Sequence, residues 1–176
     1  NFILFLSAAI LYLITFPDSA SAQGKNKLSD AEVAFTAVTA NQIDIDYADI
    51  AKVRSKNPEV LKFAETMQRD HNAVIEQAAA LVKKLGVTPK NNNVSQKLLA
   101  DAKKTKEMLR AETAANFDKA YIDNEVAYHK AVIAAVDGLL LPETENKELK
   151  GFLQAVLPAL RAHLKHAEML QKNLTE

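Results

Sequence analysis

Three of the four histidines in this 176-residue chain stand where a helix would otherwise be apolar. Val60, Ala64, Met67, His71, Val74, Ala78, Leu81 and Leu85 recur at alternating four- and three-residue steps, which keeps them on one helical face. Leu149, Leu153, Val156, Leu160, His163, Ala167 and Leu170 repeat the pattern. A third stripe, Ile122, Glu125, His129, Val132, Val136 and Leu139, carries a glutamate and a histidine one turn apart. Each histidine lies in the middle portion of its helix, so packing in register brings the three imidazoles to one depth of the core. A buried polar group without a partner costs about 1–3 kcal/mol. One metal ion satisfies all three imidazoles at once, with Glu125 as an oxygen ligand. Such nitrogen and oxygen donors suit Zn, Fe, Cu or Mn. The competing reading is a set of core histidines hydrogen-bonded within the protein.

Neighbouring residues add to this pattern or limit it. In the first helix Ala40, Ile43, Tyr47 and Ile50 form a stripe, and Asp44 beside it is the candidate for a fourth ligand. Asp46 and Asp49 read as a solvated acidic face. His166 lies on the flank of the His163 stripe, either assisting or at the surface. Asp70 precedes His71 and points about 100° away around the helix, which fits a solvated charge or a group that orients a neighbour. Di-iron bundles take a glutamate from each of two helices and Glu-x-x-His from each of the other two. Here the residue three before His71 is Gln68 and the residue three before His163 is Leu160, so an oxygen-activating pair of irons is not expected. Tyr121 and Tyr128, near Glu125, are of a type that supports redox work but is usual in a core at this spacing.

The positioning elements are legible from their ends. Ser29-Asp30-Ala31-Glu32 is a capping box that starts a helix running to about Lys56. Asn57 as cap and Pro58 in the first turn open a second helix, which Gly86 closes before Pro89. So short a link makes the two helices antiparallel neighbours. A polar Lys90-Asn91-Asn92-Asn93 loop leads to a shorter, lysine-rich helix over 94–112. A further helix is predicted from about Asn116 to Gly138, a turn at Leu141-Pro142-Glu143-Thr144, and a last helix from about Glu145 to Asn173 with a kink at Pro158. Two helical hairpins joined by a long helical crossover is an all-α, ferritin-like four-helix bundle. A five-helix up-and-down bundle is the other arrangement this pattern allows.

Composition bounds the rest. Hydrophobic residues make up 48% of the chain, glycines number 4, and alanine, leucine, lysine and glutamate recur at short intervals, which favours helix. The chain has no cysteine, which excludes disulfides and thiol catalysis. Lys+Arg and Asp+Glu are both 22, so a nucleic-acid partner is not expected. No nucleophile motif or Gly-rich phosphate loop identifies a small-molecule substrate or an enzyme. Phe2–Phe16 is a largely apolar run, shorter than the roughly 20 residues of a membrane span. Pro17 and the small residues Ala20-Ser21-Ala22 follow it. Residues 1–22 are therefore predicted to be a signal peptide cleaved before Gln23, 23–28 a flexible lead-in and 29–173 the bundle domain. An initial Asn without a basic stretch is what is expected of a sequence that starts a few residues inside its precursor.

Three segments resemble a known signature: Phe63 to His71 (FAETMQRDH), Phe117 to His129 (FDKAYIDNEVAYH) and Leu157 to Leu164 (LPALRAHL). In that order they are similar to the bacterial family called domain of unknown function 4142, over about residues 29–172. That family often has glutamate where this chain has Asp44, a change that keeps a carboxylate. The resemblance implies a ferritin-like bundle exported from Gram-negative bacteria, periplasmic or associated with the outer membrane, and it implies no activity. The functional expectation is an envelope protein that binds a transition metal within the bundle. The alternative is a non-enzymatic stress or protein-interaction module without metal.

Overall fold

Side-chain caps set the starts of four helices. The structure, a computed structural model, describes residues 27–175. The expected signal peptide and most of the lead-in lie outside them. The Ser29 backbone N–H donates to the Glu32 carboxylate at 3.0 Å, closing the capping box that begins α1 (Asp30–Arg54). Asn57 Oδ1 accepts the N–H groups of Glu59 and Val60 at the start of α2 (Pro58–Leu85), and Gly86 ends it with φ 64°. Asn92 caps α3 (Asn93–Ala111), and α4 (Phe117–Ala135) and a short α5 (Leu141–Glu143) follow. Asn146, whose Oδ1 accepts from Glu148 and Leu149, starts α6 (Lys147–Asn173). No helix among the described residues is long and apolar enough to cross a membrane.

Contacts at the helix ends fix the directions. Asn92 Nδ2 donates to the Glu32 carbonyl and to Thr36 Oγ1, both at 3.0 Å, which ties the start of α3 to the start of α1. At the other end the Arg54 guanidinium donates to the carbonyls of Arg110 and Glu112 and lies 5.3 Å from the centre of the Phe117 ring. Helix α3 is therefore parallel to α1 and carries the chain back along the whole bundle. Asp30 accepts the backbone N–H groups of Glu145 and Asn146, so α6 starts beside the start of α1. The four long helices α1, α2, α4 and α6 run up, down, down and up, and α3 is the crossover. This all-α bundle buries Tyr47, Phe63, Met67, Tyr121, Ile122 and Leu153 at its centre. Helix α1 packs against both the bundle and the crossover. Ile45, off its predicted stripe, is also buried, one turn from Asn41 and Asp49, whose side chains meet α2.

The second hairpin departs from expectation. Gly138 does not end a helix. Gly86 is the only positive-φ glycine among the described residues, and the chain past Ala135 continues through a π-helical turn (Val136–Leu140) into α5. In an unbroken α-helix the ring of Pro142 would meet the carbonyl of Gly138. The wider π turn absorbs that conflict and inserts one residue into the periodicity. Leu140, 3% exposed, therefore takes the core position predicted for Leu139, which is only half-buried. Helix α6 continues through Pro158, whose missing bond falls on the exposed face it shares with Gln154.

The glycines give a direct check on this backbone. Gly151 lies in an exposed helix interior with nothing within 4 Å of an added Cβ, so Gly151→Ala is expected to stabilise by about 1 kcal/mol. Gly86→Ala meets equally open space but a left-handed backbone, and should destabilise by about 1 kcal/mol. Urea unfolding midpoints moving in the same direction for both variants would contradict this assignment.

Candidate metal centre

Each of the four long helices sends a side chain of a type that can ligate metal into the same layer of the core. Asp44 of α1 and His129 of α4 are 0% exposed, His71 of α2 4% and His163 of α6 7%. The three imidazoles form a nearly equilateral triangle, with ring centres 5.3, 5.5 and 5.8 Å apart. One nitrogen from each of them lies within 4.8 Å of the others. Asp44 Oδ2 is 3.5 Å from His71 Nε2 and 3.6 Å from His129 Nε2. These contacts are too long for hydrogen bonds. They match the separation of roughly 3.3 Å between two ligands on one tetrahedral ion with bonds of about 2.0 Å.

The remaining ring nitrogens assign the tautomers. His71 Nδ1 is 2.7 Å from Asn41 Oδ1, while Asn41 Nδ2 donates to the Ala37 carbonyl at 2.8 Å. That second bond fixes the amide orientation, so His71 Nδ1 is the donor and Nε2 keeps its lone pair. His129 Nδ1 donates to the Glu125 backbone carbonyl at 3.0 Å, which leaves its Nε2 as the free acceptor. His163 uses the opposite edge. Its Nε2 donates to Asp70 Oδ2 at 3.0 Å and Nδ1 is left. All three leftover nitrogens, and both Asp44 oxygens, are buried without a hydrogen-bond partner among the described residues. A donated N–H on one edge and a bare lone pair on the other is how metal-binding imidazoles are held.

Burial also decides the charge states. It lowers His71 to a pKa of about 3 and His129 to about 4, so both rings are neutral at neutral pH. The same burial raises Asp44, with His129 and His163 opposing it, and raises Glu125 well above the usual carboxylate range. Partial burial works to raise Asp70, but the bonds from Arg69 and His163 outweigh it and its pKa is lowered. Asp70 is thus a charged acceptor for the His163 N–H.

Glu125 takes a distinct place. Its Oε2 is 3.5 Å from His129 Nδ1, the edge already engaged by the backbone. With Asp44 and His129 it forms a second group whose ligand atoms lie within 4.8 Å of one another. His166 stands outside both groups, edge-on to Phe63 with ring centres 5.1 Å apart. Asp46 pairs with Lys106 at 2.6 Å, and Asp49 accepts from Gln68 on the surface. Tyr128 donates to the Ala40 carbonyl at 2.6 Å and packs edge-on to Tyr47, a core role. Of the two options for Asp70, the geometry selects the orienting one. Asn41 escaped the sequence reading, although it stands three residues before Asp44 and therefore on the same face.

Nothing among curated proteins or solved structures matches the chain. Residues 15–170 match the family described as a domain of unknown function (DUF4142), and the span includes every residue of the histidine–aspartate layer. The chain belongs to the DUF4142 family.

Proposed function

We propose that this chain is a metal-binding helical bundle that holds one divalent transition-metal ion through His71, His129, His163 and Asp44. The observation that carries this reading is the set of bare, buried lone pairs converging from four helices, each imidazole fixed by a bond on its other edge. Leaving such atoms unsatisfied costs stability with no return unless something fills the space between them. Three nitrogens and one carboxylate suit zinc, iron, copper or manganese. Glu125 stands behind His129 as a buried acid beside the centre. The one-crossover connectivity is that of ferritin-like bundles, and the predicted signal peptide supports a site of action in the periplasm or at the outer membrane. Storage, buffering or redox protection of the envelope is the role such a protein fills.

The test is elemental analysis and metal titration of untagged protein. One ion per chain is expected, with none retained by His129→Ala. Asp70→Asn, which only loosens His163, should bind about 10–100-fold more weakly. Metal-free protein that takes up no zinc, iron, copper or manganese at any of these sites sinks the proposal and favours the metal-free interaction module.

A further inference from the structure

The metal layer forms one end of a cavity of about 80 Å³ whose other walls are apolar. Along α6 the lining runs from His163 through Val156 to Phe152, and along α4 from His129 through Val132 to Leu140. The two paths are of equal length in sequence, His163 to Phe152 and His129 to Leu140. At about 1.5 Å per residue each covers roughly 16 Å. The lining is therefore elongated, a slot running along the helices away from the metal layer. Beyond the metal layer the polar side chains on the wall are already engaged. The Thr36 hydroxyl donates to the Glu32 carbonyl at 2.8 Å, and Tyr128 to that of Ala40. Walls of this kind favour an unbranched apolar chain over a polar solute.

The polar end sets the head group. Three metal-bound imidazoles, one aspartate and a divalent ion leave one net positive charge in the ligand set, and the Asp70 carboxylate behind His163 is balanced by Arg69. A single negative charge brought there is favoured, and zinc accepts a fifth ligand. We propose that the cavity binds a linear medium-chain monocarboxylate, with its carboxylate on the metal ion and its chain lying in the slot between α4 and α6. This inference rests on the metal reading above.

Calorimetry on the whole chain separates the two. Zinc is titrated first; acetate, butyrate and octanoate are then titrated into zinc-loaded and zinc-free protein. Affinity is expected to rise up to about fourfold for each methylene buried, and octanoate binding to be lost without zinc. Val156→Phe fills the slot away from the ligands, and Ala159→Phe does so from a more exposed position should the first variant fold poorly. Either should keep zinc stoichiometry at the wild-type value while weakening octanoate at least about tenfold, as loss of two buried methylenes would. Equal affinity for the three acids with zinc bound overturns the inference and leaves the metal site standing. So does octanoate binding that ignores zinc. If zinc does not bind in the first titration, iron, copper and manganese are titrated in its place, and failure of all four overturns both.

Discussion

Zinc at a thousandfold excess over its dissociation constant is expected to stabilise the folded chain by about 4 kcal/mol. For a domain of this size that is a rise of roughly 8–16 °C in thermal midpoint. The reason lies in how the cage is distributed. Its four donors come from α1, α2, α4 and α6, helices whose sequence positions are far apart, so the unfolded chain offers no comparable site. Nearly all of the binding free energy is then folding free energy. His129→Ala removes the residue in contact with Asp44 on one edge and Glu125 on the other, and should abolish the shift. His166→Ala, outside the layer, should leave the shift intact. Differential scanning calorimetry with and without zinc reads both. Equal zinc-induced shifts in wild type and His129→Ala would show that the ion binds elsewhere.

What could be read from the sequence is what depends on local chemistry. Ser29 with Glu32, and Asn57 with Pro58, announce helix starts because the capping bonds form within a few residues. The stripes of α2, α4 and α6 set each histidine facing inward. Asn146 is also a local cap, and α6 starts at Lys147, two residues after the predicted Glu145. The direction of α3 depends instead on Asn92 reaching Glu32 and Thr36, and on Arg54 reaching Arg110 and Glu112. These partners are more than fifty residues apart, and periodicity carries no information about them. The π turn escaped for a related reason. A 4-3 stripe assumes constant helical pitch, and one extra residue moved the core position from Leu139 to Leu140.

Within the site the limits were directional. Helical spacing placed Glu125 and His129 on one seam, but it does not say which ring edge a neighbour meets. Side chains tilt toward the helix N-terminus, so the Glu125 carboxylate sits one turn away from the open edge of His129, against Nδ1. Asp44 was found through its flank position, and α2 and α4 bring it between two imidazoles. Asp70 looked solvent-bound because it faces away from His71. The facing helix α6 supplies His163 to that side. Each surprise is a contact between helices, where sequence fixes the face and packing fixes the partner.

Two buried, neutral histidines make the metal-free protein sensitive to acid. His129 has a folded pKa of about 4, against an ordinary value near 6.5. Below pH 6.5 the unfolded chain takes up the proton that the folded chain refuses. Stability from this group is therefore whole above about pH 6.5 and falls as pH drops to about 4. The loss is roughly 3 kcal/mol, because a tenfold change in proton affinity is worth about 1.4 kcal/mol. His71, held near a pKa of 3, acts in the same direction. Asp44 and Glu125 act oppositely: burial raises them, so they favour the folded state most at low pH and less as pH rises past the ordinary carboxylate range. Comparison with His129→Met isolates the histidine. Methionine fills similar volume, has no proton to gain and leaves no orphaned nitrogen. In the absence of metal the variant should be about 1–3 kcal/mol more stable than wild type at neutral pH. That advantage should widen by roughly 3 kcal/mol between pH 6.5 and pH 4. Urea unfolding across this range measures it. A variant less stable than wild type without metal, or an advantage that does not grow in acid, would show that His129 is a satisfied core residue. The predicted gain at neutral pH would mean that the residue lowers the stability of the empty fold, and that binding is the reason it stands there.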